Sequence, residues 1–300
     1  MFAHLSKIIY GMKIQSLIVA GLLFSIFSCS GPQEDHSLDL TLDSTKSTNE
    51  TKEINDDLYF QEIDPDSIQP LPSPLQIVMR FKQTGMKYDH RLPYKPENLA
   101  NADRYFDRLI LNGFLSADFV YLVANKQTGE CPKYIKALRD NSAAIGFGDI
   151  VNTEYNIKRI ESNLNNIDSI AYIASEIQMN TDRYFRENND YLRGLIVFSG
   201  AWIETLYLVI NSPDLNDNFD AVRAISDQLD VANHILENFQ LFKIDSSKEI
   251  SQLKQHIQSI KLRLEILHDY TEKEDLVMWK KELDNLKNTV ESIRNYYIIQ

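Results

Sequence analysis

The sequence predicts an all-α protein: a helical bundle with a candidate duplicated helical hairpin over about 100–211, followed by a three-helix, heptad-patterned antiparallel segment. Three observations carry that expectation. Strict apolar/polar alternation is scarce, while Leu, Ile, Asn, Asp, Glu and Lys recur three and four residues apart, the period of a helix face. From residue 97 onward the clusters GECP (129–132), GFGD (146–149), ENND (187–190), NSPDLND (211–217) and KIDSS (243–247) punctuate the pattern, Gly and Pro breaking helices and Asp, Asn and Ser starting them. The last third carries two apolar residues per heptad with charge on the other faces.

In chain order, residues 1–28 read as a signal peptide. Lys13 opens a short basic region before the apolar run IQSLIVAGLLFSIFS (14–28), which falls short of the roughly 20 residues a spanning helix needs. Its end, Ile26-Phe27-Ser28-Cys29, resembles the bacterial lipobox, in which the cysteine thiol is acylated and becomes the new N-terminus. The resemblance implies a lipid on Cys29 and a lipoprotein held to a membrane. The following SGPQEDHS resembles the acidic motif that sends some Bacteroidota lipoproteins to the outer face of the outer membrane; cell surface and periplasmic face both stay open.

Residues 29–75 are expected to be an acidic, disordered tether, too poor in apolar surface to offset its ordering entropy. Pro65, Pro70, Pro72 and Pro74 stiffen its end and place the domain boundary near 75, with the all-α domain at 76–300 in sub-blocks 97–211 and 217–300. Of the net charge of −12, residues 30–75 carry −9, from eleven acids against Lys46 and Lys52. The folded part is therefore only mildly acidic and offers no basic track for a nucleic-acid backbone. The triplets Asp43-Ser44-Thr45, Asp66-Ser67-Ile68 and Asp168-Ser169-Ile170 resemble a Bacteroidota O-glycosylation acceptor.

Cys29 and Cys131 are the two cysteines, and Cys131 reads as a free thiol at a helix start followed by Pro132. No cysteine pair, zinc spacing, Gly-rich phosphate loop or serine elbow is present; of His90, His234, His256 and His268 only His268 stands in a Glu-x-x-His relation, to Glu265, where a di-metal bundle needs two such pairs. No cofactor and no metal are expected.

The middle block holds a repeat. DFVYLVAN (118–125) returns as ETLYLVIN (204–211), and the tetrapeptide DRYF precedes each copy, at 103–106 and 182–185. Duplication and chance both remain open at this point. At helical spacing Asp118, Tyr121 and Asn125 share one stripe, and Glu204, Tyr207 and Asn211 share another. If both acids point inward, these six residues line a polar cavity, with Arg104, Arg159 and Arg183 as ion partners and Asn163, Asn166 and Asp168 nearby. An internal network without a ligand is the alternative. Residues 192–211 are apolar nearly all round and belong at the protein's centre, Ser199, Gly200 and Ala201 permitting close helix approach. A transmembrane span is set aside on length and on Glu204.

In the final block, Val222, Ile225, Leu229, Ala232, Leu236 and Phe239 define one helix. Leu253, Ile257, Ile260, Leu264 and Leu267 define the next, and Leu276, Trp279, Leu283, Leu286, Val290, Ile293 and Tyr297 the last. Short connections make them antiparallel, within one chain or in a coiled-coil dimer. Ser246 with Glu249 and Thr271 with Glu274 match capping-box spacing.

GFLSADFVYLVAN, YIKALRDNSAAIGF and RIESNLNNIDSI together resemble a helical family among uncharacterised Bacteroidota lipoproteins, over about 100–211. The resemblance implies location and helical fold and carries no activity. The expected function is a non-catalytic, membrane-anchored binding or scaffold protein whose partner is another envelope protein or a small molecule. Its rivals are a small-molecule sensor and an envelope glycan hydrolase using Asp118 and Glu204.

Overall fold

The computed structural model describes residues 61–148, 153–213, 215–243 and 247–299. Cys29, the apolar run before it and the acidic segment up to residue 60 lie outside the described residues. Ten α-helices follow one another: α1 (Pro74–Gln83), α2 (Tyr105–Ala124), α3 (Cys131–Ala144), α4 (Thr153–Asn163), α5 (Ile167–Asn188), α6 (Tyr191–Ile210), α7 (Phe219–Ser226), α8 (Gln228–Gln240), α9 (Lys248–Glu272) and α10 (Leu276–Ile299). No strand occurs among the described residues, so the all-α expectation holds.

The axis of the fold is the α2–α6 pair, which makes the most extensive helix–helix contact in the molecule. Three levels of contact show that the two helices run parallel. Arg193 at the start of α6 reaches Tyr105 at the start of α2, Gly113 meets Gly200 midway, and Asp118 meets Glu204 near both C-terminal ends. Glycine is required at the crossing: a methyl on Gly113 would overlap the Val197 carbonyl oxygen, and one on Gly200 the Ile110 carbonyl oxygen. The two backbones touch directly, which only side-chain-free positions permit.

By length and composition α6 matches a membrane span, so the length argument against that reading does not stand. Burial decides the matter. α6 is wrapped by α1, α2, α8 and α10, and its one acid is ion-paired inside the protein.

A parallel helix pair needs a return connection, and α3, α4 and α5 supply it. α3 packs against α2, whereas α4 and α5 pack mainly on each other and touch α6 little. On the opposite side α7, α8, α9 and α10 form the heptad block. Leu253, Ile257, Ile260, Leu264 and Leu267 are all fully buried, as are Leu286 and Val290 in α10, so the seam read from the sequence is the seam that packs. These contacts form within one chain.

Several local expectations are corrected. The helix expected through Val222 and Phe239 is two helices, broken at Asp227, whose carboxylate pairs with Arg80 of α1. α9 is capped by Ser247, whose hydroxyl accepts from the Ile250 N–H; Ser246 lies outside the described residues. Thr271 does not cap α10; it lies in the last turn of α9 and donates to the His268 carbonyl, while Asp275 accepts from the Met278 N–H.

The chain also meets the helices before the boundary expected near 75. Residues 61–73 lie along α8, with Gln69 and Asn238 exchanging two hydrogen bonds (2.7 and 3.0 Å) and His234 bonded to the Pro70 carbonyl. Ser73 and Gln76 then form a reciprocal capping box that starts α1.

Candidate functional site

Asp118 and Glu204 stand at equivalent heights on α2 and α6, and the parallel register brings them face to face. Both are 0% exposed. An unpaired buried carboxylate is very costly, so each needs an account. Glu204 has one: Arg294 of α10 grips it in a fork, Nε to Oε2 at 2.6 Å and Nη2 to Oε1 at 2.8 Å. The same guanidinium donates to the Leu92 carbonyl and stacks on the Tyr207 ring, 3.9 Å from its centroid.

Asp118 is satisfied differently. Its Oδ2 accepts the Tyr94 N–H at 3.0 Å, while Oδ1 has no conventional donor. Burial first, and then the charge of Glu204, push the Asp118 carboxyl well above the usual carboxylate range. Burial raises Glu204 as well, but Arg294 pulls it back toward the ionised form. Two carboxylates in hydrogen-bonding contact do not both ionise cheaply. Asp118 is therefore the member of the pair held toward its protonated form, and Arg294 holds Glu204 toward its ionised one.

The rest of the predicted stripe serves this closure. The Tyr121 hydroxyl accepts the Asp89 N–H at 2.9 Å, and the Tyr134 hydroxyl donates to the Tyr94 carbonyl at 3.0 Å, pinning loop 86–95 over the acids. Burial pushes the Tyr94 and Tyr121 hydroxyls up to about 12, so both stay protonated donors and acceptors. Asn125 and Asn211 turn away from the acids. Each is the C-cap residue of its helix and donates back to the carbonyl four residues earlier, Tyr121 at 2.8 Å and Tyr207 at 3.0 Å.

The polar cavity expected between the repeats is thus filled. A void of about 20 Å³ beside Tyr121 and Asn125 has room for about one water.

The expected ion partners are corrected too. Arg104 pairs with Asp107 (2.6 Å) and Arg159 with Glu176 (2.9 Å), while Arg183 is exposed on α5. Asn163 donates to the Arg159 carbonyl and Asn166 caps α5, so neither joins the acids, and Asp168 is exposed. Sequence reasoning missed Arg294, whose partner lies ninety positions away. A second arginine, Arg193, anchors the other end of the pair: it is buried against Asp190 and donates to the Tyr105 hydroxyl (2.7 Å) and the Ile145 carbonyl (3.2 Å).

The repeat now has a structural meaning. Tyr105/Tyr191, Leu109/Leu195, Ile110/Ile196, Tyr121/Tyr207, Leu122/Leu208, Val123/Val209 and Asn125/Asn211 all match at one offset without a gap, over two helices of equal length. DRYF does not belong to it. Residues 103–106 open α2, whereas 182–185 lie near the end of α5.

With both acids sealed, no bound glycan reaches them, and the hydrolase reading loses the open cleft it requires. Among the described residues no three His, Cys, Asp or Glu side chains gather as metal ligands. Cys131 is buried, and burial pushes its thiol up to about 11, away from the thiolate a nucleophile needs.

The space that can hold a ligand lies on another face of the same pair. A chamber of about 330 Å³ opens between α2 and α6 on one side and α3, α4 and α5 on the other. Phe119, Val120, Val197 and Phe198 form its floor and Ile157, Ile160, Ile170 and Ile177 its roof. Its polar members are engaged elsewhere: Asn112 Oδ1 accepts from Asn141 and Ser142, and the Ser116 hydroxyl donates to the Asn112 carbonyl.

Comparison with protein-family models, curated proteins and solved structures gives no match for this chain.

Proposed function

We propose that this chain is a membrane-tethered, non-catalytic binding protein whose helical domain holds an apolar small molecule in the chamber roofed by α4 and α5. The observation that carries the reading is the chamber: a few hundred cubic ångströms, walled by aliphatic and aromatic side chains, is the size and character of a small-molecule site. Its roof packs lightly on its floor, so a guest has a way in. The tether is the lipid on Cys29 that the lipobox resemblance implies.

The test is a titration of the full chain with the uncharged, environment-sensitive fluorophore N-phenyl-1-naphthylamine. Saturable binding is expected, and Val120→Trp, which fills the chamber from its floor, should abolish it without lowering thermal stability. Absence of saturable binding, or binding untouched by the tryptophan, overturns the reading.

A scaffold for another envelope protein is the second reading. It draws on Tyr155, Tyr172 and Met179, which stand 59%, 68% and 61% exposed on α4 and α5. Replacing all three with Ser should then abolish cross-linking to a neighbour in the envelope while leaving the fluorophore bound.

A further inference from the structure

The chamber has a neighbour. A second cavity, about 380 Å³, lies between the α5–α6 turn, α8 and the segment 65–71. Phe185, Gly194 and Phe198 line both spaces. Phe185 is the divider: its ring lies on the bare backbone of Gly194, where a methyl would come within 2.5 Å of Cε2. The ring's other neighbours are aromatic edges, Phe147 at 5.7 Å and Tyr184 at 6.0 Å between centroids, so nothing polar fixes it in place.

The two spaces differ in chemistry. The inner chamber is mainly apolar, and the one cation in its lining, Arg139, is paired with Asp140. The outer one adds Gln69, Asn238 and Arg186 to its apolar wall. The Asn238 side-chain amide is taken up by the Gln69 backbone, accepting its N–H and donating to its carbonyl. Arg186 is exposed and makes no ion pair among the described residues, so its guanidinium is the one cation at that wall left to take an anion.

We infer that the two spaces form one site for a single-chain anionic amphiphile, its aliphatic tail passing Phe185 into the inner chamber and its carboxylate or phosphate head held by Arg186. The inference rests on the inner chamber being a binding site and adds the class of its guest. An elongated guest suits two spaces in series better than a compact one. A guanidinium is the side chain best matched to a carboxylate or phosphate. Displacing the Phe185 ring costs a rotamer change, not a backbone rearrangement.

The experiment is competition against bound N-phenyl-1-naphthylamine on the full chain, with every competitor kept below its micelle concentration. The competitors are hexadecanoate, lysophosphatidate with the same tail, hexadecanol and hexanoate. Either long-chain anion should displace the fluorophore at least tenfold more effectively than hexadecanol, and which of them does so identifies the head. Hexanoate, too short to pass Phe185, should not displace it. Arg186→Gln should erase the preference for anions while leaving fluorophore affinity and thermal stability unchanged, because the side chain is exposed. Equal displacement by hexadecanol, or an unchanged preference in Arg186→Gln, overturns the inference while leaving the chamber a binding site. Failure of the fluorophore itself to bind removes both.

Discussion

The α2–α6 pair has two faces built from the same helices with opposite results. At the acid face, Asp118, Glu204, Arg294, Tyr94 and Tyr207 close every gap, and loop 86–95 is pinned across the top. At the other face, Phe119, Val120, Val197 and Phe198 look out on empty volume. The polar residues fill and the apolar residues leave room. The difference teaches that charge in this core determines register, whereas the chamber is made by what the returning helices fail to cover.

The sharpest way to break that comparison is to unpair the arginine. Glu204→Gln, or Arg294→Met, leaves one buried charge without its partner and is expected to cost about 3–5 kcal/mol. Thermal unfolding of the full chain measures it, and a loss under 1 kcal/mol would show that the acid face is not a structural seal. Next come the crossing glycines. Gly113→Ala or Gly200→Ala drives a methyl into a carbonyl of the facing helix, with an expected loss of about 3 kcal/mol, the upper end for overpacking.

Asp118 behaves unlike Glu204 because Arg294 grips Glu204 and leaves the effect of burial on Asp118 less opposed. Its folded pKa is raised, so the proton it binds stabilises the fold fully below its ordinary value of 3.8, and that contribution is lost as pH rises through the raised folded value. The expected slope is at most about 1.4 kcal/mol per pH unit. Asp118→Asn keeps an acceptor for the Tyr94 N–H and a donor for Glu204, so its stability should match the parent near pH 4 and exceed it increasingly above. Parallel curves for the two proteins between pH 4 and pH 8 would refute the protonated assignment.

The smallest effect has the opposite sign. Val120→Phe inserts bulk into the chamber and should stabilise the protein by about 0.5–2 kcal/mol, the range of cavity-filling changes. The same volume added at the acid face would destabilise.

The sequence made the acids legible because an in-register pair repeats its contacts at a constant offset, so Asp118 and Glu204 announced each other. The heptads of α9 and α10 were legible because their partners are near in sequence and their spacing is the geometry of the seam. Arg294 was not. It sits beside Ile293 on the buried face of α10 and looks like any arginine near a chain end until the fold brings it to Glu204. Ser73 and Gln76 do carry capping-box spacing, but the prolines around them read as a stiff linker. The chamber residues were invisible for a deeper reason: an apolar side chain lining a void and one packed in a core have the same identity and the same periodicity, and only the placement of α4 and α5 separates them.

The offset that let the repeat be read also bears on how the chain reaches its native state. Contacts between α2 and α6 join residues about 86 positions apart, while α9 and α10 meet across one short turn. Distant contacts must wait for the intervening loop to close, so they form late. In pulse-labelled hydrogen exchange during refolding, amides of α9 and α10 should be protected before those of α2 and α6; the reverse order would refute this. The helices at the centre of the finished molecule are then among the last to find their place, and the chain spends its early folding life with α6, the most apolar of its described helices, unaccompanied.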